Sequence, residues 1–509
     1  MKNIFKYILL ITVISTVSCE DFLEKIPVDT ESSETFFRTE KDAMDAVIAV
    51  YAALSSEDDQ GLYRRSVLEL EQLSDNCWNA DSDEKIGYFT FTPDFGIIKD
   101  YYIGMYRGIN RANLAIEGIS AMENIDPDLK QRLIAESKFH RGYYYFILTL
   151  LFGDVPIVLE STTDPSGFAV AKSPATEVYQ QIVDDLSAAE QVLPLTSEYS
   201  DEDYGRISSG TAKAMLAKVY LFGADELNRN EWYSLSKQKA QEVIASNEYQ
   251  LIDTDNPFED YKSLFTIENE RNAEVIFSAN HQSSGRSYGL PNSSFLVIAT
   301  TPRQTRNTIW GWGRAYVYKE VGDPSYWEDG DARRGVSVWG TGDSMEPTAP
   351  TDTFDMSAQN RSIIRPEHYA LRKYAWTLPE GVDRNPSSPY NFPVLRYADL
   401  LLIHAEASLK GGGLDAAALE SYNAVRNRAG LEDVASFTEE DILLQRQYEL
   451  LGEFHRWFDL VRTKTAASAF AKIVSVPDKA GFSPTKHYKL PLPQSAVDLN
   501  ERLEQNPNW

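Results

Sequence analysis

The stretch "DLKQRLIAESKFHRGYYYFILTLLFG" (residues 128–153) decides the fold class of this chain of 509 residues. Its apolar residues follow the spacing of an α-helix, and Gly153 with the following "DVP" is a helix stop. The preceding stretch "YYIGMYRGINRANLAIEGI" has the same helical periodicity. The sequence therefore predicts a fold in which long helices follow one another along the chain.

Helical patterns extend in both directions from this stretch. Upstream, "KDAMDAVIAVYAAL" places its apolar residues on one stripe. Downstream, "SPATEVYQQIVDDLSAAEQVLP" predicts a helix with Ser173 as its N-cap and Pro174 at its first position. In the next pair, "SGTAKAMLAKVYLF" and "EWYSLSKQKAQEVIAS", Ala214 and Ala217 against Tyr220 give the alternation of small and large residues found in helix-pair repeats. No strict repeat is visible, so we expect degenerate repeats.

The pattern changes between about 255 and 390. Helical stripes give way to Gly, Pro, Ser, Asn and aromatic residues, with short β-prone pieces such as "AEVIFSAN" and "FLVIATT". Helices return at "VLRYADLLLIHAEASLKGGG" and continue through "EEDILLQRQYELLGEFHRWFDLVRT". We predict one mainly α domain over 36–509, with a helical scaffold at about 36–254 and 391–475. A loop-rich ligand region with a few short strands is expected at about 255–390.

The last of these helical stretches carries acidic and basic residues at three- and four-residue spacing. An enzymatic interpretation would take Glu449 and Glu453 as paired catalytic carboxylates. The neighbouring arginines would hold both carboxylates ionised, which fits a structural ion network better than a general acid. The predicted network consists of Arg446, Glu449, Glu453, Arg456, Asp459 and Arg462.

The net charge and the histidine content indicate which classes of partner and cofactor the protein is not expected to bind. The chain has 49 Lys and Arg against 76 Asp and Glu, a formal charge of −27. This charge argues against nucleic acid or an anionic membrane surface as a partner, because both attract basic proteins. The six histidines form no metal-binding motif, and we predict no metal and no cofactor. Calcium binding at "NADSDE" (79–84) stays open as a possibility and is not predicted.

Two further motifs were weighed as catalytic sites. The stretch "GRSYG" (Gly285–Gly289) matches the nucleophile elbow of hydrolases, but no alternating strand and helix pattern surrounds it. A glycosidase would need a pair of carboxylates. Glu328, Asp329 and Asp331 are available, but the surrounding sequence does not indicate that any two of them form such a pair. We therefore predict a protein that is not an enzyme.

Aromatic residues in the loops are the strongest sign of a ligand. The chain has 9 Trp, 28 Tyr and 23 Phe. A sugar ring has an apolar face and a rim of hydroxyls, so flat aromatics beside Asn, Asp and Arg suit it. The alternative is that the tryptophans pack the loops onto the helices. The candidate ligand residues, placed by region, are Asp75, Asn76, Trp78, Arg286, Tyr288, Trp310, Trp312 and Tyr316.

The N-terminus has the features of a secretory signal. Two early lysines precede the apolar run "YILLITVIST", which is too short to span a bilayer. A small residue and then Cys19 follow, as in bacterial lipoproteins. We predict a signal peptide at 1–18, a lipid on Cys19 and a tether at 19–35, with the lipid as the only membrane anchor. A cysteine that happens to follow an ordinary cleavage site is the alternative.

From end to end, the chain resembles the SusD/RagB family of nutrient-binding lipoproteins. The resemblance rests on "CEDFLEKIPVDTESSETFFRTEKDAMDAVIAVYAAL", "AESKFHRGYYYFILTLLFGDVPIV", "VLRYADLLLIHAEA", "YNAVRNRAGL", "RQYELLGEFHRWFDLVRT" and "LPLPQSAVDLNERLEQNPNW". It implies a tetratricopeptide-like helix-pair scaffold with variable ligand loops, and it makes the ion-rich stretch a scaffold signature.

The same resemblance implies a location and partners. The protein would be lipid-anchored at the outer face of the outer membrane, and Glu20 and Asp21 fit an acidic surface-export signal. It would bind an oligosaccharide or polysaccharide and deliver it to a SusC-like TonB-dependent transporter. A peptide ligand, as in RagB-like uptake, a glycoside hydrolase, and a scaffold that binds only protein remain the alternatives.

Overall fold

The computed structural model describes residues 36–55, 63, 70–79, 86–161, 169–281, 294–302, 311–344, 353–356, 364, 367–377 and 388–509. The predicted signal peptide, Cys19 and the tether lie outside these residues, as do Arg286, Tyr288, Trp310, "GRSYG" and all but the first residue of "NADSDE".

The first half of the described chain is a series of long helices. Each helix packs against the next one along the chain, and α6 also packs against the later helix Tyr397–Gly412. This arrangement confirms the predicted mainly α scaffold of helix pairs. The helices are α1 (Glu40–Ser55), α2 (Gly96–Ala121), α3 (Pro127–Phe152), α4 (Ala175–Glu190), α5 (Ser209–Leu227) and α6 (Glu231–Ser246).

Helix α3 shows how local sequence sets its bounds. The Asp126 carboxylate accepts hydrogen bonds from the backbone N–H groups of Asp128 and Leu129 at 3.0 and 2.9 Å, and Pro127 occupies the first turn. The helix ends at Gly153, whose φ of 79° suits a residue without a Cβ. Both helix signals predicted for this stretch, its periodicity and its stop, are confirmed.

The cap predicted for α4 was wrong. Pro174 precedes the helix rather than opening it, and Ser173 instead forms an isolated β-bridge with Val155. The Asp154 carboxylate, just after α3, accepts a hydrogen bond from the Ala175 N–H at 2.8 Å. A side chain from the previous connection therefore satisfies the first turn of α4.

Short elements hold the loop-rich segment together. Strands β1, β3, β5 and β4 form an antiparallel sheet in that order, which joins the region before α2 to the later loops. A second small core, containing Trp78, Tyr316 and Trp339, lies against this sheet. The elements are β1 (Cys77–Trp78), α7 (Pro257–Ser263), β2 (Val275–Ala279), α8 (Leu296–Thr300), β3 (Tyr316–Val317), α9 (Lys319–Gly322), α10 (Ala332–Ser337), β4 (Val338–Trp339) and β5 (Tyr369–Leu371).

The C-terminal part returns to helices and closes the main core. Strand β6 pairs antiparallel with β2, and α11 packs against both α6 and α12. The elements are β6 (Phe392–Arg396), α11 (Tyr397–Gly412), α12 (Ala416–Arg428), α13 (Glu439–Glu449), α14 (Arg456–Arg462), α15 (Ala466–Phe470) and α16 (Gln494–Leu499). Short 3₁₀ turns lie at Thr196–Glu198, Asp201–Asp203, Ile267–Asn269, Pro324–Tyr326, Ala375–Thr377 and Pro477–Gly481.

The spacing predicted one continuous helix for the ion-rich stretch, and this prediction was wrong. A turn at 450–455 separates α13 from α14, with φ of 81° at Gly452 and 67° at Phe454. The N–H groups of both residues donate to the buried Glu71 carboxylate, at 3.3 and 3.0 Å. The turn is thus stabilised by a residue nearly four hundred positions earlier, which local spacing cannot reveal.

Among the described helices, none combines the length and apolarity needed to cross a membrane.

Candidate functional site

Two of the predicted ligand aromatics lie in the second core. Trp78 and Tyr316 are register partners in β1 and β3, with ring centroids 5.3 Å apart. Their exposed fractions are 2% and 0%. Neither ring can stack on a sugar in this structure, so the prediction for these two residues does not hold here. They pack the loops onto the scaffold, which was the alternative explanation.

Asp75 and Asn76 also have structural partners. The Asp75 carboxylate accepts two hydrogen bonds from Arg456, at 2.7 and 2.8 Å. Burial raises the pKa of Asp75, but the Arg456 guanidinium outweighs burial and leaves this pKa below its ordinary value. Asn76 is buried, donates to Glu71 at 2.6 Å and accepts from Gln447 at 2.8 Å. The prediction that these two side chains contact ligand is corrected: they tie β1 to the helices around the ion network.

Trp312 is the described candidate that keeps part of its surface. Its ring is half-buried against Phe295, with centroids 5.7 Å apart, and the Arg314 guanidinium lies 5.3 Å from the ring centre. The preceding residue, Gly311, lies against the backbone of Thr301. A Cβ added to Gly311 would lie 1.7 Å from the Thr301 carbonyl oxygen. The glycine therefore allows two backbone segments to meet, and Trp312 stays available at the surface.

The predicted ion network is present and buried. Glu449, which is 0% exposed, contacts Arg396 at 2.9 Å and Arg333 at 3.3 Å and also pairs with Arg428. Burial raises the pKa of Glu449, and the three guanidinium groups outweigh burial, so the carboxyl stays ionised far below neutral pH. A carboxyl held in this way cannot act as a general acid at neutral pH.

The remaining members of the network pair with several parts of the chain. Glu453 accepts hydrogen bonds from Arg396 and from Lys373, at 2.7 and 2.9 Å. Most of these side chains are buried, so each charge needs its partner. The other pairs are Arg446 with Asp399 and Asp459, Arg462 with Asp459, Glu406 and Asp225, and Arg456 with Asp75.

Two of the carboxylates weighed for glycoside hydrolysis are also paired. Asp331 contacts Arg333 at 2.7 Å, and both side chains are buried. Glu328 accepts hydrogen bonds from Arg426 at 2.6 and 2.9 Å. These bonds lower the pKa of Glu328, the opposite of what a general acid requires.

A polar cleft of about 550 Å³ lies between the end of α1 and the turn at 202–206, and we name it the Tyr204 cleft. Its lining comes from the end of α1 between 48 and 55, from the turn at 202–206, from 270–281 and from Asn391. The cleft volume lies within the range of small-molecule sites.

Two partly exposed apolar side chains line the Tyr204 cleft. Tyr204 is 37% exposed and Ile48 is 53% exposed. The Tyr204 hydroxyl donates to the Glu270 backbone oxygen at 2.9 Å, and the Arg271 guanidinium lies 4.4 Å from the ring centre. The ring is therefore held in place by its own hydroxyl while part of its surface stays open. Tyr204 was not predicted from the sequence, because a single tyrosine in the acidic stretch "SDEDYGR" forms no aromatic pattern.

The cleft is also lined by a hydrogen-bonded group of polar side chains next to Tyr204. The Glu270 carboxylate accepts from the Asn391 N–H at 3.0 Å and from its Nδ2 at 2.9 Å. The Asn391 Oδ1 accepts from the His281 N–H at 2.7 Å, which ties the residue after β2 to the start of β6. Burial raises the pKa of Glu270 to about 7, so near neutral pH this carboxyl can both donate and accept. A partly open aromatic ring next to such groups suits a ligand that carries hydroxyls around an apolar face.

No group of three His, Cys, Asp or Glu residues in the described part of the chain is arranged to hold a metal ion.

Comparison with known proteins places this architecture. The family model described as "SusD family" matches residues 241–509, more than half of the chain, and a second model, described as "Starch-binding associating with outer membrane", matches 21–221. Among curated proteins, SusD-like protein P2 of Formosa agariphila is 28% identical and aligns over 99% of each chain.

Solved structures agree with these matches. A SusD superfamily protein from Parabacteroides distasonis is 26% identical, with a TM-score of 0.75 over 94% of this chain and 100% of that one. A structure described as a laminarin binding SusD-like protein is also 26% identical, with a TM-score of 0.74 over 93% of this chain and 100% of that one. The helix-pair scaffold, the end-to-end similarity and the family model together show that the chain belongs to the SusD family.

Proposed function

We propose that the protein binds a glycan at the cell surface and passes it to a transporter without cleaving it. The observation that carries this proposal is the Tyr204 cleft, which is lined by a fixed, partly open aromatic ring and by the Glu270 and Asn391 hydrogen-bonding groups. A sugar places its C–H face against such a ring and its hydroxyls against such groups. The names of the similar proteins, which include laminarin-binding and surface glycan-binding structures, support the same ligand class.

The proposed location is the outer face of the outer membrane, with the lipid on Cys19 as the anchor. The resemblance of the N-terminus to lipoprotein signals and the outer-membrane wording of the matching family model support it. The proposed partner is a SusC-like TonB-dependent transporter that receives the glycan. The pairing of Glu328 and Asp331 with arginines supports a binding role rather than hydrolysis.

A glycan-array screen of the soluble form that starts after Cys19 tests the proposal, with hits measured by calorimetry. Tyr204→Ala should weaken a hit by about fivefold, because aromatic contacts contribute about 0.5–1.5 kcal/mol. Leu499→Ala is the matched control, since Leu499 is 88% exposed and does not line the cleft. Trp312→Ala tests the loop site separately.

The outcomes separate the alternatives. Loss of binding in Tyr204→Ala alone supports the cleft, and loss in Trp312→Ala alone would move the site to the aromatic loop. Binding of peptides but no glycan across a broad panel would replace the glycan proposal with peptide uptake. Release of reducing ends from a polysaccharide would contradict the absence of catalysis.

A further inference from the structure

A second cavity adjoins the Tyr204 cleft, and we name it the Ser200 cavity. Its volume is about 200 Å³. The residues that line this cavity and not the Tyr204 cleft include Thr196, Tyr199, Ser200 and Tyr249. The turn 203–206 and Ser278 line both cavities. The turn that carries Tyr204 therefore forms part of the wall of both cavities.

The turn between the cavities is fixed rather than loose. Arg206 donates to Asp203 at 2.6 Å and to Glu136 of helix α3 at 2.9 Å. Gly205 has a φ of 86°, and an added Cβ would lie 2.2 Å from the Asn280 amide nitrogen. Together with the bond from the Tyr204 hydroxyl, these contacts hold the ring between the two cavities.

The charges around the two cavities are mostly balanced or acidic. The acidic residues that line them are Asp201, Glu202, Asp203 and Glu270, and the basic ones are Arg206 and Arg271. Arg206 is already paired with acids. A ligand with a negative charge on every unit would meet net repulsion here, whereas a neutral one would not.

From this geometry we infer that a neutral glycan chain lies across Tyr204, with sugar units in both the Tyr204 cleft and the Ser200 cavity. The inference rests on the proposed glycan-binding function and adds a distal subsite to it. The hydroxyl-rich lining of the Ser200 cavity, where the Tyr249 hydroxyl bonds those of Thr196 and Ser208 at 2.7 and 2.9 Å, matches the hydroxyls of a sugar. A chain long enough to reach both cavities should bind more tightly than a disaccharide.

Calorimetry with matched chain lengths tests this inference. The probes are disaccharides and hexasaccharides of β-glucan, α-glucan, xylan and mannan, with oligogalacturonate as the charged comparison. The hexasaccharide of the binding series should exceed its disaccharide by about tenfold or more in affinity. Ser200→Trp, at an exposed position of the Ser200 cavity, should abolish that difference, and Gln191→Trp, exposed and outside both cavities, should keep it.

Each outcome decides one statement. A hexasaccharide advantage that Ser200→Trp leaves intact would overturn the distal subsite, with circular dichroism confirming that the variant is folded. Equal affinity for both lengths in the wild type would overturn it as well. Tighter binding of oligogalacturonate than of every neutral probe would overturn the neutral class while the glycan-binding function stands. Binding of no glycan at all would instead contradict the proposed function.

Discussion

Replacing Glu449 with glutamine should destabilise the fold more than almost any other change of one charge. In the described chain, Glu449 belongs to a buried group of four carboxylates and four cations that balance one another. Its members are Asp331, Glu274, Glu449 and Glu453 with Arg333, Arg396, Arg428 and Lys373. Glu449→Gln keeps the shape of the side chain but leaves one positive charge without compensation in the interior.

The expected cost follows from that imbalance. Breaking a buried ion pair by removing one partner costs about 3–5 kcal/mol, because the remaining charge stays desolvated. With an unfolding entropy of about 2.1 cal/mol/K per residue, this corresponds to a fall in Tm of about 3–5 °C for a chain of this length. Differential scanning calorimetry of the soluble form measures the change, with the exposed Lys41→Met as control at less than about 1 kcal/mol.

A second variant separates lost charge from lost shape. Glu449→Gln combined with Arg428→Gln restores the balance, so the double variant should be more stable than the sum of the two single effects by at least about 1 kcal/mol. A Tm for Glu449→Gln no lower than that of Lys41→Met would refute the reasoning. So would additive effects in the double variant, since they would mean that the charges are not coupled.

Three further outcomes follow from the structure. Burial raises the pKa of Glu71 from 4.5 to about 7. The contribution of Glu71 to the free energy of unfolding should therefore grow as the pH falls from about 7 to 4.5, by up to roughly 3 kcal/mol. Urea unfolding between pH 5 and 8 should show this pH dependence in the wild type and not in Glu71→Gln. Gly311→Ala should lower Tm and broaden unfolding, because its Cβ would overlap the Thr301 carbonyl; an unchanged Tm would contradict the close approach. In the form starting after Cys19, Cys77 should react with a thiol reagent only on unfolding, because it is buried and its pKa is raised.

Local signals predicted the helices well, but they did not indicate which of the candidate ligand side chains are buried. The bounds of α3 depend on residues within and next to it, so its stop at Gly153 could be predicted from a few positions. The ion network could be predicted as structural because its own spacing shows paired charges. Its partners, such as Asp75 and Asp399, come from distant parts of the chain and leave no local pattern.

The aromatic residues show the limit of composition as a guide. Trp78 and Tyr316 were predicted to bind ligand because they stand in polar loops, yet pairing of β1 with β3 buries both. Tyr204 is exposed because its turn is fixed by Arg206 and Gly205, which act through residues of other elements. Whether an aromatic ring is open or buried depends on tertiary partners, and one sequence does not specify those partners by pattern.

The contacts between the two ends of the chain set a condition on when the protein can fold. The Asp75 carboxylate pairs with Arg456, and the Gln72 backbone oxygen accepts a hydrogen bond from Lys479. The Phe91 ring stacks on Trp509, with ring centroids 5.2 Å apart. Contacts of such long sequence separation slow folding, since the intervening chain must first be closed. The contacts of Asp75 and Phe91 therefore cannot form before the segments around Arg456, Lys479 and Trp509 have been synthesised, so this part of the core is completed late in folding.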